Sequence, residues 1–149
     1  MTIALPTPIA AVPAPSGIAA PAAPMPALTG VLTVEVGNVR AAKGHVRLDV
    51  CPQAKFLKDG CPYSGSAPAV VGTTVVTVRG LPPGRYAVQA YLDENDNTRV
   101  DRALFGIPKE GVGFSNDVKV MFSAPKFADA VFSFTGAAQT IRFKLQYFL

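Results

Sequence analysis

One histidine and two cysteines are all that this chain contains of those two residue types. So few cannot complete a four-ligand zinc site without carboxylates, which argues against a zinc centre. The histidine, His45, falls on the polar side of an early strand and reads as a surface residue rather than a general base. Ser115, in Gly-Phe-Ser-Asn, lacks the glycine-flanked elbow of a hydrolase nucleophile. A glycine loop that would cradle phosphate is also missing, since Gly111 and Gly113 alone do not make one. Asp93 and Asp101 are close in sequence, but carboxylates on a polar loop gain little of the desolvation that separates an acid from a base. We therefore assign no catalytic residue and expect a protein that is not an enzyme. An enzyme acting on carbohydrate or peptide ranks below the binding and assembly readings.

Charge is scarce at the start and diffuse afterwards. Nothing before Glu35 carries a charged side chain, and the first thirty residues hold nine alanines and seven of the fourteen prolines. Those prolines, from Pro6 to Pro26, would break any helix crossing hydrocarbon, so no membrane span is expected. A secretory signal has a basic start, an unbroken apolar stretch and a small-residue cleavage site. Only the last is visible, around Pro26-Ala27. Residues 1–29 thus read as an arm, either a signal remnant or an Ala/Pro tether in extended polyproline form, ahead of a domain at 30–149. The net charge is +4, but the fourteen Lys and Arg are scattered singly from Arg40 to Lys144. Diffuse positive charge favours solubility over a phosphate track, and no nucleic-acid partner is expected.

The domain alternates with period two. Leu32, Val34 and Val36 share one face of the stretch 30–36, and Val46, Leu48 and Val50 share one face of 45–51; the two predict a hairpin. Val70 to Arg79 is rich in β-branched residues. Leu81-Pro-Pro-Gly84 then turns into a strand with Tyr86, Val88, Ala90 and Leu92 on one side. Residues 104–116 read as an ordered loop, 117–122 and 128–134 as strands, and 139–147 as a final strand with Ile141, Phe143, Leu145 and Tyr147 inward. Seven short strands and no convincing amphipathic helix predict an all-β fold, an antiparallel β-sandwich of immunoglobulin-like or transthyretin-like type. Cys51 and Cys61 either pair, in an exported context, or remain separate thiols in a reducing one. Pairing would close a loop of about ten residues and constrain the unfolded chain by somewhat under 3 kcal/mol.

Chemistry is concentrated in one place. The strand ending at Leu92 runs into Asp93-Glu-Asn-Asp-Asn-Thr-Arg-Val-Asp101, which holds four of the ten acidic residues of a basic protein. Unit charges about 4 Å apart repel by roughly 1 kcal/mol in water and about 4 kcal/mol at an effective dielectric near 20. Asp93, Asn95, Asn97 and Asp101 occupy the first, third, fifth and ninth places, the spacing by which a tight loop wraps calcium, with the backbone carbonyl of Arg99 in the seventh. Glu110 is a candidate for a further carboxylate. Thr98 stands where a helix-loop-helix site wants glycine and Leu104 where it wants glutamate, so a helical calcium hand is excluded and a looser site is expected. The alternative is a solvated Asp/Asn turn whose side chains cap their own backbone.

The segments Leu-Pro-Pro-Gly-Arg-Tyr-Ala-Val (81–88), Asp-Glu-Asn-Asp-Asn-Thr-Arg-Val-Asp (93–101) and Phe-Gly-Ile-Pro-Lys-Glu-Gly-Val-Gly-Phe-Ser-Asn (105–116), in that order and spacing, resemble the bacterial proteins grouped as domain of unknown function 2141. The resemblance runs from about Leu32 to Tyr147. It implies a small exported protein, periplasmic or at the cell surface, with no assigned activity, and this setting supports a Cys51–Cys61 bridge. The family's loop is similar to Asp-x-Asn-x-Asn-Gly-x-x-Asp, from which Thr98 departs at the glycine. The Pro-Pro-Gly turn is also similar to that of transthyretin-like and carboxypeptidase-regulatory sandwiches, which are accessory modules. The expectation is an exported, non-enzymatic β-sandwich whose loop takes calcium and which serves binding or assembly. The alternative is a homo-oligomer, the subunit of a surface filament packed through its arm.

Overall fold

The computed structural model describes residues 2–4, 30–100, 108–120 and 123–148. The arm, apart from residues 2–4, lies outside the described residues, as does Asp101. Eight strands follow one another among the described residues: β1 Gly30–Val39, β2 His45–Cys51, β3 Tyr63–Pro68, β4 Gly72–Leu81, β5 Gly84–Asp93, β6 Val112–Phe114, β7 Phe132–Phe134 and β8 Gln139–Lys144. Alternation decides which way each strand faces, because successive side chains point to opposite sides of a sheet. Leu32, Val34 and Val36 of β1, Val46, Leu48 and Val50 of β2, and Tyr86, Val88, Ala90 and Leu92 of β5 are all buried, as expected.

The strands form two sheets packed face to face. One has the order β4-β1-β8; in the other, β3-β2-β5-β6 are neighbours and β7 pairs with the start of β5. The main core lies between them, and Phe134, Phe143 and Leu145 complete it. Such a sandwich buries one face of each sheet and leaves the other available. Along one side the sheets are joined by the bridge between Val112 and Gln146, whose backbone groups exchange hydrogen bonds of 3.0 and 2.7 Å. Among the described residues no helix is long and apolar enough to cross a membrane.

The expected hairpin of 30–36 with 45–51 does not form, because β1 pairs with β4 and β8 in one sheet and β2 with β3 and β5 in the other. Four further details differ from the expectation, each for a tertiary reason. Strand β3 is built from Tyr-Ser-Gly-Ser-Ala-Pro, a composition that reads as a loop. It forms because β2 offers a complete antiparallel ladder from Val50↔Tyr63 to His45↔Pro68. Its glycine eases the packing: a Cβ on Gly65 would lie 3.0 and 3.1 Å from the Val76 and Val78 side chains, a contact tight enough that the neighbours would have to shift. Secondly, β8 pairs parallel with β1, Leu32↔Gln139 to Gly37↔Lys144, rather than antiparallel, because the chain returns along the first strand from the same end. Thirdly, part of the expected loop 104–116 is strand β6, and the expected strand at 117–122 is instead a 3-10 turn at Ser115–Asp117 followed by irregular chain to Val120; residues 121 and 122 lie outside the described residues. Fourthly, the stretch 128–134 divides into one helical turn, α1 Phe127–Ala130, and the short β7.

A second, smaller core lies on the outer face of the five-stranded sheet. Cys51, Phe56, Ala87, Val112, Phe114 and Ala130 are buried there. Phe56 meets the rings of Phe114 and Phe127 edge-on at 6.1 and 5.9 Å, the arrangement favoured by the ring quadrupoles. Cys51 and Cys61 are joined in a disulfide that ties the loop 52–60 over this cluster. The outer face is thus covered towards the disulfide end of β2 and β5 and open towards Asp93.

Candidate functional site

The register between β2 and β5 assembles this open face. His45 stands opposite Asp93, Arg47 opposite Tyr91, Asp49 opposite Gln89 and Cys51 opposite Ala87. Side chains directly across an antiparallel pair are close enough to interact. Two strands that each look merely polar on their outer sides therefore make one continuous stripe of chemistry, from the acidic loop at one end to the disulfide at the other.

Asp93 is the anchor of the loop, and it is fully buried. Its Oδ1 accepts the Asn97 amide at 3.1 Å, and its Oδ2 accepts the Thr98 amide at 2.8 Å and the Arg47 Nε at 2.7 Å. A buried carboxylate needs such partners, because an unpaired one is strongly disfavoured. The hydrogen bond to Asp93 in turn holds the Arg47 guanidinium above its ordinary pKa. Arg47 also reaches Asp96, its Nη2 lying 3.3 Å from Oδ1, and His45 Nδ1 lies 2.7 Å from the same oxygen. Part of the loop's negative charge is therefore balanced by the Arg47 guanidinium of β2.

The chain within the loop turns on itself. Asn95 Oδ1 accepts the Asn97 amide at 3.3 Å, and Asn97 Oδ1 accepts the Arg99 amide at 3.0 Å. These are side chains capping the backbone two residues on. Asp96 and Thr98 take positive φ of 55° and 62°. Thr98 thus adopts, at the place where glycine would be easiest, the left-handed backbone that the tight turn requires. Glu110, also buried, reaches the loop, and its Oε2 accepts the Glu94 amide at 3.0 Å. The structure therefore gathers Asp93, Asn95, Asn97, Arg99 and Glu110 around one turn; Asp101 lies outside the described residues. Among the described residues, no three His, Cys, Asp or Glu side chains converge as a group that could hold a metal ion.

Arg47 is the residue that the sequence reading missed. The signal was present, since Arg47 is two residues from His45 on the outer face of β2. It becomes visible only once β2 is paired with β5 in the register His45↔Asp93. Lower on the same face, burial pushes the Tyr91 phenol up to about 12, with Asp93 adding to the shift. Burial also raises the Asp49 carboxyl, against the lowering effect of its hydrogen bond from Gln89, and Asp59 raises it further.

A family model described as an uncharacterised protein conserved in bacteria (DUF2141) matches residues 34–142. The chain belongs to the DUF2141 family. The matched span begins within β1, ends within β8 and includes the whole loop. No curated protein and no solved structure matches the chain.

Proposed function

We propose that this DUF2141 protein is an exported, non-catalytic β-sandwich module that binds or assembles through the loop after β5, with calcium tightening that loop. The observation that carries the reading is the bracing of the loop by Asp93, whose carboxylate joins the Asn97 and Thr98 amides to Arg47. A turn held this firmly at a sheet end, with Glu94, Asn95 and Asp96 exposed, is a rigid rim of the kind on which recognition residues are placed. The Cys51–Cys61 disulfide supports export, because such bonds persist in oxidising compartments. The non-catalytic part is supported by what the usual reactive groups are engaged in. His45 faces Asp96, and the Ser115 hydroxyl accepts the Val88 amide and donates to the Ala130 carbonyl.

Calcium is the finer part of this proposal. Asn95 and Asn97 supply carboxamide oxygens, the hard ligand type that calcium takes. Asp101, Glu110 and the Arg99 carbonyl complete the proposed oxygen set, and Asp93 would be shared with Arg47. Calorimetric titration of the full chain with calcium, alongside Asp93→Ala, Asp101→Ala and Arg47→Gln, tests it. We expect heat and a raised Tm for the parent chain, and loss of both in the two aspartate variants. Absence of heat in the parent would remove calcium and leave a rim braced by Asp93, Arg47 and Glu110.

A second reading, a homo-oligomeric surface assembly, is favoured by a separate observation. Val70, Val71 and Val75 are exposed beside β4, an edge strand of its sheet, and an apolar strand edge invites pairing with another chain. Light scattering on the full chain and on a chain lacking residues 2–29 tests whether the arm takes part, since an unchanged assembly state would exclude it.

A further inference from the structure

A cavity of about 640 Å³ opens on the outer face of the β2–β5 pair, below the loop. Its volume lies within the roughly 300–1,000 Å³ typical of small-molecule sites. Asp49, Gln89 and Tyr91 line it from the two strands, while Val112 and Phe114 offer an apolar surface between the strands and the tail of the domain. Thr98, Arg99 and Val100 of the loop border it on one side.

The polar residues are unequally matched. Asp49 is half-buried and accepts a hydrogen bond from Gln89 Nε2 at 3.4 Å. It makes no ion pair among the described residues; the nearest cation along its own strand, Arg47, is committed to Asp93 and Asp96. Gln89 is itself engaged on its other side, where its Oε1 takes the Leu57 amide at 2.9 Å. The Tyr91 phenol, raised to about 12, is a neutral donor at any ordinary pH. Lys58, Asp59 and Arg99 also line the cavity, but all three are exposed at its rim, where water and salt screen them. The inner polar surface thus offers a carboxylate that has no ion pair among the described residues, next to an apolar surface.

We infer that this cavity is a binding site for a small organic cation, a protonated amine carried on an apolar body, with Asp49 as its counter-charge. The amine would supply the ion partner that Asp49 lacks among the described residues, and the apolar body would lie against Val112 and Phe114. This inference is independent of calcium and of the loop's own partner.

The test uses the full chain, labelled with nitrogen-15, and three probes of similar shape: phenethylamine, 3-phenylpropionate and 2-phenylethanol. Phenethylamine should shift the amide signals of Asp49, Gln89, Tyr91 and Val112 and bind at least tenfold more tightly than 3-phenylpropionate. A hydrogen bond to a charged group contributes about 1.5–3 kcal/mol, so Asp49→Asn should weaken phenethylamine by roughly ten- to a hundredfold. The same substitution should leave 2-phenylethanol unchanged, which separates a lost charge from a damaged cavity. Because asparagine removes a partly desolvated charge without changing the shape, the variant should melt no lower than the parent. Equal binding of the carboxylate and the amine, full retention of amine binding by Asp49→Asn, or no shift with any of the three probes would each overturn the inference.

Discussion

Replacing Asp93 with alanine removes the group on which the loop is built, and the structure sets the size of the effect. The carboxylate accepts two backbone amides, from Asn97 and Thr98, and one charged donor, from Arg47, while itself fully buried. Neutral hydrogen bonds contribute about 0.5–1.5 kcal/mol each and a charge-assisted one about 1.5–3 kcal/mol. The guanidinium keeps 26% of its side-chain surface exposed, so it can rehydrate, and the freed amides can reach water as the turn relaxes. The net cost should therefore fall short of the full total, at about 2–4 kcal/mol. A domain of this size loses roughly 3–5 °C of Tm per kcal/mol, so calorimetry should show a drop near 10 °C. Asp93→Asn should cost nearly as much, because both oxygens are in use and an amide nitrogen would be turned towards a donor. Hydrogen exchange at Asn97 and Thr98 should accelerate in both variants. A Tm within about 2 °C of the parent, with those two amides still protected, would refute the view that Asp93 holds the turn.

Further expectations follow from other parts of the molecule. Reducing the Cys51–Cys61 disulfide should lower stability by somewhat under 3 kcal/mol on the loop-entropy account, read from urea midpoints with and without reductant, and should loosen the Phe56 cluster first. Gly44→Ala should destabilise by roughly 1–3 kcal/mol or more, because residue 44 has φ +65° and a Cβ there would overlap the Asp93 carbonyl; a Tm equal to the parent's would contradict the close approach of that turn to the loop. The Tyr91 phenol keeps its proton in the folded state up to about pH 12, whereas an unfolded chain releases it near pH 10. The unfolded state then binds fewer protons, so stability should fall as pH rises from about 10 to 12. Phenolate absorbance should correspondingly appear later in the folded parent than in urea, and Tyr91→Phe should flatten the stability loss.

Much of the sandwich can be read in the chain because strand direction is a local property. Leu32, Val34 and Val36 alternate with polar neighbours, and no other face of β1 could be buried. The same holds for Val46, Leu48 and Val50, and for the inward row of β5. The turn at Pro82-Pro83-Gly84 and the launch of an acidic loop from the end of β5 are equally local, as is the self-capping of Asn95 and Asn97. Strand β3 was hidden because Ser, Gly and Pro carry no strand signal; it exists through the ladder that β2 supplies and the space that Gly65 leaves under Val76 and Val78.

The amino-acid order alone determined which residues face inward, where the turns come and which nine positions collect the acid. Tertiary structure alone decided what those acids meet. Arg47 lies forty-six positions from Asp93 in the chain, and only the β2–β5 register brings them to hydrogen-bonding distance. The parallel return of β8 along β1, the bridge from Val112 to Gln146 and the cavity around Asp49 depend likewise on contacts between distant segments. Period and turn chemistry act over a few residues, whereas a site is made where strands far apart in sequence lie side by side, and no local pattern encodes which strands those will be.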